Sequence, residues 1–330
     1  MNFKLMNMKL LFALLIPAAI FFSGCGNPTD GNKDVKANAD SVNLSGTLKV
    51  HGAMTLYPMM IKWGTVFMKD HPQAKLDIRS LHSEEALAEL LSGETDIAMM
   101  SRKPSTAEVE KGLWYAAVAM DAVVPVISFD NPEIQPLVMH GITKEKLKEV
   151  FAGKIQNWGQ ISGRSSKVPV KVYALSDSAG TSATWSQFLG LESLSGKATR
   201  VQTATEMISH LTSENGAIGY CSIMDAYDLQ SGFRKAGLYI LPLDYNANGT
   251  IEDAEQYYDK FVLVSNAVMT GKMPTPPARE LYLVTKGKPQ TDLAKAFITW
   301  VLTIGQNYMP PMGYINITPQ SANASVETIK

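Results

Sequence analysis

A twelve-residue stretch that begins at Asp244 has the spacing of a calcium-binding loop. Residues with oxygen-bearing side chains recur at positions 1, 3, 5, 7 and 12 of the stretch, and Gly249 stands at position 6. In an EF-hand loop, alternate residues supply oxygen ligands, the glycine permits a tight turn, and the last glutamate gives both carboxylate oxygens. The predicted Ca²⁺ ligands are therefore Asp244, Asn246, Asn248, Thr250 and Glu255.

The alternative interpretation of the same stretch is a solvated Asn-Gly turn. Asparagines at positions 3 and 5 lower the negative charge of the ligand set, so we expect weak affinity, in the range of roughly 0.1–1 mM. A strand-like run, "LYILPLD", precedes the loop where an EF-hand would have a helix. We therefore expect one structural clip, which would stabilise a segment without defining a function.

Four further segments could bind an anion. They are rich in small or hydroxyl residues, each follows a strand-like run, and three lead promptly into a helix. Ligands of α/β sheets bind beyond the carboxyl ends of the strands, where free N–H groups and helix dipoles favour an anion. One such loop alone would indicate only a capped helix start, but four predict a cleft: "HGAMT" (51–55), "SLHSEE" (80–85), "MSRKPS" (100–105) and "SDSAGT" (176–181).

Motifs of known enzymes are mostly missing from the sequence. It contains no HExxH, CxxC or GxSxG pattern, and "GLESLSGKA" is one residue too long for a P-loop, with Ala198 in place of the hydroxyl that would hold magnesium. The five histidines are scattered, so no catalytic triad can be assigned. Cys221, in the apolar run "GAIGYCSI", is expected to be a buried small apolar residue.

Composition indicates a soluble globular chain with a sizeable core. The 330 residues suit two ordinary domains, 45% are hydrophobic and 18% are charged. The formal net charge is −1, and no basic stripe is present. Nucleic acid is therefore not an expected partner.

The N-terminus resembles a bacterial lipoprotein signal. Lys4 and Lys9 precede the apolar run "LLFALLIPAAIFF", which is followed by "SGC" ending at Cys25. We expect residues 1–24 to be removed and the Cys25 thiol to be lipidated. Residues 25–45 are polar and lack apolar periodicity, so they are predicted to be a flexible tether that holds the folded part off a membrane. Ordinary signal cleavage elsewhere is the alternative.

From Thr47 onward, strand-like and helix-like segments alternate, which is the pattern of an α/β fold. Ser83 is a plausible N-cap of one helix, and Ser105 with Glu108 forms a capping box at the start of "STAEVEKGLWYA". A second capping box is predicted at Thr203 and Glu206. The long segment "TDLAKAFITWVLTIGQNYM" is predicted to be one helix with an apolar face.

These segments, in this order, resemble the phosphate-binding proteins of bacterial ABC transporters, the PstS-like family. The resemblance runs from about Gly46 to Pro319. Its most specific part is "ITKEKLKEVFAGKIQNWGQISG", with the core F-x-G-K-I-x-N-W. Supporting matches are "HGAMTLYP", "LAELLSGETDIAMMSRKP", "SAGTSATWSQF", "GAIGY", "ELYLVTKGKP" and "GQNYMPPMGYINI".

The resemblance implies a binding protein of the periplasmic type II class, with two α/β lobes joined by crossing strands and an oxyanion, phosphate, held between them. Lobe 1 would comprise residues 46–123 and 272–330, and lobe 2 residues 124–271. Such proteins are not enzymes; they deliver their ligand to a membrane permease. The implied ligand-binding residues are Thr55, Ser83, Ser101, Arg102, Ser178, Gly180 and Thr181.

The sequence departs from the family pattern in the loops themselves. The second loop is usually glycine-rich but here contains Glu84 and Glu85, and Leu175 stands where the family often has arginine. Arg102 replaces a carboxylate that reads a phosphate proton in some members. It could supply the missing positive charge, or it could pair with one of the two glutamates.

His51 and His82 occur in two of the predicted cleft loops, which is also unusual. Each is expected to be structural, although together they could form a pH-dependent anion site or a metal site. Three alternatives to phosphate binding stay open at this point. The chain could bind another ligand or act as a sensor, it could be a lipoprotein hydrolase that uses Cys221 or a cleft histidine, or it could be a purely structural calcium lipoprotein.

Overall fold

The computed structural model describes residues 44–176, 179–194 and 197–329. They belong to the compact unit Asn43–Lys330. The predicted signal peptide, Cys25, most of the tether and Ser178 lie outside the described residues. In the part of the chain that the structure describes, none of the helices is long and apolar enough to cross a membrane.

Nine strands and twelve α-helices are present in the described residues. The strands are β1 (Gly46–Ala53), β2 (Ala74–Leu81), β3 (Ile97–Met100), β4 (Leu113–Ser128), β5 (Lys171–Leu175), β6 (Thr199–Val201), β7 (Ala217–Ser222), β8 (Leu238–Ile240) and β9 (Ala278–Lys286). The helices are α1 (Tyr57–Asp70), α2 (Ser83–Ser92), α3 (Thr106–Val109), α4 (Ile134–His140), α5 (Lys144–Phe151), α6 (Trp158–Ser162), α7 (Gly180–Leu189), α8 (Ala204–Ser213), α9 (Ile223–Ala226), α10 (Phe261–Met269), α11 (Asp292–Leu302) and α12 (Pro319–Ile329).

The strands form one mixed sheet in the order β2-β1-β3-β9-β4-β7-β5-β6, with β8 paired to β4. Pairs at the two ends of the order are parallel, as in β1–β2, β1–β3, β5–β7 and β5–β6. In the middle, β9 and β4 are antiparallel to each other and to their other neighbours. Helices connect the parallel strands because a parallel pair needs a crossover connection. The predicted α/β class is confirmed.

Two hydrophobic cores lie along this sheet. One collects buried side chains from residues 44–119 and 281–329, and the other from residues 122–278 together with Ile315. Strands β4 and β9 run between them. The change from one core to the other falls at the register pairs Met120–Glu280 and Asp121–Arg279. This arrangement is that of the predicted two-lobed fold; the lobe limits 46–123 with 272–330, and 124–271, remain a prediction.

Side-chain caps mark the starts of α3, α5, α6, α8 and α11. Ser105 and Glu108 form the predicted capping box at α3. Thr203 caps α8 by accepting from the amide of Glu206, but the Glu206 carboxylate accepts from Gln202 N, outside the predicted box. At α2 the N-cap is His82, which makes no side-chain cap bond, and Ser83 is the first helical residue. The N-cap prediction for Ser83 was therefore wrong by one position.

Two predicted helices are shorter than their sequence patterns suggest. α3 ends at Val109, because Gly112 adopts a left-handed φ of 84° that a helix cannot continue through, and β4 begins at Leu113. The C-terminal pattern breaks after α11 into the 3₁₀ segments Ile304–Tyr308 and Pro310–Met312. The apolar face of α11 is nevertheless buried as predicted, through Leu293, Phe297, Ile298, Val301 and Leu302.

Candidate binding cleft

A cavity of about 1280 Å³ contains parts of all four predicted loops. It is lined by residues 53–55, 81–85, 101–103 and 179–181. Its wall also includes residues of β9 and the starts of α8 and α9. The cavity therefore lies where β4 and β9 pass from one hydrophobic core to the other.

Ser83, Ser101 and Gly180 meet at one end of the cavity. The Ser101 amide donates to Ser83 Oγ at 3.2 Å, and the two hydroxyl oxygens are 3.3 Å apart. A Cβ built on Gly180 would lie 2.1 Å from Ser101 Oγ, so only glycine permits this approach. Because one hydroxyl hydrogen lies between the two serines, the pair retains one hydrogen for a further acceptor.

Arg279, which is not among the predicted ligand-binding residues, supplies the positive charge at the same end. Its side chain is only 6% exposed and forms a buried ion pair with Asp121, with Nη2 2.7 Å and Nε 3.2 Å from Oδ2. Nη1 donates to Thr184 Oγ1 at 3.0 Å, and Nη2 lies 3.4 Å from Thr181 Oγ1. A guanidinium has five N–H donors. One Nη1 hydrogen of Arg279, and the Nη2 hydrogen that makes only the long contact with Thr181, are left to donate to a ligand.

Asp121 is held in place from the other side as well. Ser222, at the end of β7, donates its hydroxyl to Asp121 Oδ1 at 2.6 Å. The carboxylate therefore accepts from both β7 and β9, which fixes the direction of the guanidinium. A signal for half of this pair existed in the sequence, since Asp121 is the single charge in β4, whereas Arg279 is one of three charged residues in β9. Their separation of 158 residues hid the pairing.

The N-terminus of α7 completes the anion-favouring end. Its first turn contains Gly180 and Thr181, and the first N–H groups of any helix have no intrahelical partner. The positive end of the dipole of this ten-residue helix therefore points into the cavity wall beside Arg279. Leu175, where the family often has arginine, also lines the cavity. Leu175 carries no charge, and the positive charge at this end of the cavity comes from Arg279 of β9 instead.

Thr55 and Arg102, two of the predicted ligand-binding residues, also line the cavity. The carbonyl of Thr55 accepts from the Tyr314 hydroxyl at 2.6 Å, which anchors the first loop. Arg102 is occupied by carboxylates: both Nη atoms lie 2.8 Å from Glu108, and Nε lies 3.2 Å from Glu84. The guanidinium of Arg102 holds the pKa of Glu108 down to about 2. Of the two options left open for Arg102, the structure shows pairing with Glu84, and ligand binding by Arg102 stays a prediction.

The two histidines do not share the cavity. His82 lines it, whereas His51 is 2% exposed and lies outside the lining, with Nδ1 2.6 Å from Glu89 and Nε2 3.8 Å from Asp77. His51 therefore links β1 to α2 and β2. The hypothesis of a joint His51–His82 site is not supported, because His51 is buried against α2 and β2 and does not line the cavity.

Asp225, in α9, is a second acidic group that lines the cavity. Burial raises the pKa of its carboxyl to about 6, against the opposing effect of Lys235; Asp121 raises it further and Arg279 lowers it. Among the described residues, none lies within hydrogen-bond distance of its oxygens. Asp225 is therefore an unpaired acid close to the Asp121–Arg279 pair.

The twelve-residue loop at Asp244 folds around its own acidic side chains. Asp244 is 2% exposed and accepts from the amides of Asn248 and Gly249 at 3.2 and 2.9 Å. Glu255 is 5% exposed and accepts from the amides of Tyr245 and Glu252 at 2.7 and 3.2 Å. Positions 1 and 12 are thus brought together, with Gly249 at a left-handed φ of 79°.

The donor set of this loop fits Ca²⁺ better than it fits a transition metal. No group of three His, Cys, Asp or Glu side chains able to hold a metal is found in residues 44–176, 179–194 and 197–329. The loop instead offers two buried carboxylates with the amide oxygens of Asn246 and Asn248, and hard oxygen ligands suit Ca²⁺. No ion pair within the described part of the chain neutralises Asp244 or Glu255.

Comparison with known families assigns the class of protein. The family described as the PBP superfamily domain matches residues 37–303, so the chain belongs to the PBP superfamily. This assignment confirms the expectation of a solute-binding protein rather than an enzyme, and the lipoprotein-hydrolase alternative is dropped.

The relatives confirm the predicted resemblance. The chain is 26% identical over 325 residues to the phosphate-binding protein PstS of Bacillus subtilis (strain 168), covering 96% of this chain and 94% of that protein. It is 24% identical over 316 residues to the phosphate-binding protein PstS of Pseudomonas aeruginosa, covering 87% and 88%.

Solved structures show the same fold at lower identity. An ABC-type phosphate transport receptor from Vibrio cholerae matches with a TM-score of 0.65 and 20% identity, covering 81% of this chain and 99% of that one. PstS from Borrelia burgdorferi matches with a TM-score of 0.58 and 20% identity, covering 83% and 100%.

Proposed function

We propose that this chain is the solute-binding component of an ABC-type phosphate uptake system and that it captures phosphate, or a similar oxyanion, in the cleft. Relatives named for phosphate binding cover nearly the whole chain. The cleft lies between the two hydrophobic cores, as expected of a protein that closes around its ligand. Delivery to a membrane permease follows from the same proposal.

One observation carries the proposal: the guanidinium of Arg279 lies beside the N-terminus of α7 and the Ser83–Ser101 pair. Fixed N–H and O–H donors with little net charge suit an oxyanion, because they need no rearrangement when it arrives. Asp121 neutralises Arg279 in part. The ligand would then be bound mainly by directed hydrogen bonds and the helix dipole.

The location of Arg279 suggests how binding and closure would be coupled. Arg279 and Asp121 pair in register at the change between the two cores, and Arg279 also contacts Thr184 of α7 in the second core. An anion that engages Arg279 and Thr181 would add a bond between β9 and α7. Binding would therefore stabilise the arrangement in which these two elements are in contact.

We further propose that the chain is extracytoplasmic and attached to a membrane through a lipid on Cys25. The support is the sequence pattern of Lys4, Lys9, the apolar run and "SGC" before Cys25. The polar residues 25–45 would then separate the cleft from the membrane surface.

The loop at Asp244 is proposed to hold one Ca²⁺ with a structural role. Asp244 and Glu255 would supply carboxylate oxygens, and Asn246, Asn248 and Thr250 would complete the set. When bound, Ca²⁺ would neutralise two buried carboxylates that have no cationic partner among the described residues. The site would stabilise the segment after β8 without taking part in anion binding.

The function is tested by titrating inorganic phosphate into the full chain, stripped of phosphate, in a calorimeter with calcium present. We expect a Kd in the micromolar range or tighter. Thr181→Ala should weaken binding by about tenfold, because a hydrogen bond to a charged group contributes roughly 1.5–3 kcal/mol. Thr270→Ala, at the end of α10 and away from the cleft, is the matched control. No binding at millimolar phosphate would refute the assignment and direct the search to other oxyanions.

A further inference from the structure

The cleft is much larger than an inorganic oxyanion requires. A tetrahedral oxyanion has five heavy atoms and needs roughly 100 Å³, about three times the share of one water molecule. The cavity of about 1280 Å³ exceeds even the range of roughly 300–1,000 Å³ that is usual for organic ligands. Most of the cleft therefore lies beyond the group of donors around Arg279.

This extra space does not arise from separation of the walls at the anion-binding end. There, Ser101 of the β3 loop already contacts Gly180 of α7, and Arg279 of β9 already donates to Thr184. The first contact joins the loop after β3, in the first core, to α7 of the second core, and the second joins α7 to β9 at the change between the two cores. The remaining volume thus coexists with walls that are already in contact at this end.

Apart from the donors around Arg279, the cavity lining contains apolar and acidic side chains. Three methionines line it, namely Met54, Met120 and Met224, and methionine adapts to irregular apolar groups. The charged lining residues are Glu84, Glu85, Asp225 and Glu280 on the acidic side and Arg102, Lys103 and Arg279 on the basic side.

Most of these lining charges are already paired. Arg102 pairs with Glu84 and Glu108, Arg279 pairs with Asp121, and Glu280 accepts from the Tyr282 hydroxyl. Lys103 lies over the ring of Tyr115. In the part of the chain that the structure describes, Glu85 and Asp225 have no hydrogen-bond or ion-pair partner. Glu85, Asp225 and Glu280 thus have no cationic partner among the described residues, against Lys103 alone on the basic side, so the unpaired charge of the cleft is negative on balance.

We propose that the preferred ligand of the cleft is an organic phosphate or phosphonate whose organic substituent carries a positive charge, with Asp225 as the partner of that charge. This inference rests on the proposed function, because it keeps the oxyanion at Arg279, Thr181 and the serine pair. It assigns the apolar substituent to the methionine-lined space.

Asp225 is suited to this role by its surroundings. The charged and titratable groups that act on Asp225 or that it acts on are Lys235, Asp121 on β4, Arg279 on β9, Tyr314, and Cys221 on β7. Arg279 already pairs with Asp121, and Lys235 acts on Asp225 from beyond ion-pair distance, so no cation among the described residues forms an ion pair with Asp225. An inorganic oxyanion beside an ionised Asp225 is repelled, whereas a ligand with an ammonium group replaces this repulsion by attraction.

The test compares three probes by calorimetry at pH 8 with the full chain: inorganic phosphate, ethyl phosphate and 2-aminoethyl phosphate. The two esters have similar size and differ by the ammonium group, which keeps its proton up to a pH of about 10. We expect 2-aminoethyl phosphate to bind at least about tenfold more tightly than ethyl phosphate. In Asp225→Asn the two esters should bind within about twofold of each other.

Asp228→Asn is the matched control, because it removes an exposed carboxylate three residues away that accepts from Ser231 and does not line the cavity. It should keep the preference for the amine. Equal binding of the two esters by the parent chain, or a preference that survives Asp225→Asn, would overturn the inference. Binding of inorganic phosphate with exclusion of both esters would overturn it and leave the proposed function intact. If none of the three probes bound, the proposed function itself would fail.

Discussion

At the scale of single residues, the cleft combines a neutralised cation with an unpaired acid. The Asp121–Arg279 pair is almost fully buried, and breaking such a pair leaves an uncompensated charge that is costly. Ser222 donates to the other Asp121 oxygen and Thr184 accepts from Arg279, which leaves one Nη1 hydrogen of Arg279 for a ligand. Asp225 has no such partners, so its ionisation works against folding.

The Asp225→Asn variant should therefore gain stability as the pH rises. The folded-state pKa of Asp225 is raised from 3.8 to about 6. The contribution of protonated Asp225 to the free energy of unfolding is therefore fully present below pH 4 and is lost between pH 4 and 6. Relative to the parent, Asp225→Asn should gain up to about 3 kcal/mol between pH 4 and 7, because each pKa unit corresponds to about 1.4 kcal/mol.

Denaturant unfolding at several pH values measures this gain. Asp228→Asn is an informative control, since hydrogen bonds from Ser231 lower the pKa of Asp228. That variant should be less stable than the parent above pH 4, and the difference should disappear as the pH falls below 4. Parallel pH profiles for Asp225→Asn and the parent chain would contradict the account of Asp225.

At the scale of elements, the segment after β8 is stabilised by a loop whose backbone amides donate to two of its own carboxylates, Asp244 and Glu255. Asp244 and Glu255 lie eleven residues apart, yet the amide of Tyr245, next to Asp244, donates to Glu255 at 2.7 Å. His140, at the end of α4, lies 2.7 Å from the carbonyl of Gly249 and ties the loop to the rest of the second core. A Ca²⁺ ion in the loop would strengthen contacts that the chain already makes.

Glu255→Gln should abolish the effect of calcium on thermal stability. The parent chain is expected to melt at a higher temperature in millimolar calcium than with a chelator, because an ion bound only by the folded state stabilises it. The variant should melt at the same temperature in both conditions and should still bind phosphate. Asp253→Asn, at a loop position that supplies no predicted ligand, should keep the calcium response. If the melting temperature of the parent chain did not change with calcium, the proposed Ca²⁺ site would be excluded.

At the scale of the whole molecule, the proposed attachment depends on one of only two cysteines. Cys221 is fully buried in β7, and burial raises the pKa of its thiol well above the usual value. Cys25 therefore remains as the candidate for lipidation. The folded unit would then work as a tethered receptor, held near its permease by residues 25–45.

Cys25→Ser should move the protein from the membrane fraction to the soluble fraction and stop the incorporation of labelled palmitate. Cell fractionation and metabolic labelling measure these two effects. Cys221→Ser is the matched control and should keep both the membrane association and the label. Membrane association that persists without Cys25 would show that another segment attaches the chain.

Local signals in the sequence were sufficient for the fold class, some helix starts and the four loops that enter the cleft. Such signals act between near neighbours, as in the Ser105–Glu108 capping box and the buried face of α11, so they can be read from spacing alone. The tight turn at Gly249 and the convergence of Asp244 with Glu255 belong to the same category.

Tertiary structure decided which charges act in the cleft. Asp121 and Arg279 are 158 residues apart, and only the pairing of β4 with β9 joins them. The same long-range packing gave Arg102 its carboxylate partners, carried His51 out of the cleft and left Asp225 unpaired. Charge pairing depends on distance and burial in the folded chain, and neither quantity is set by the spacing of residues along the sequence.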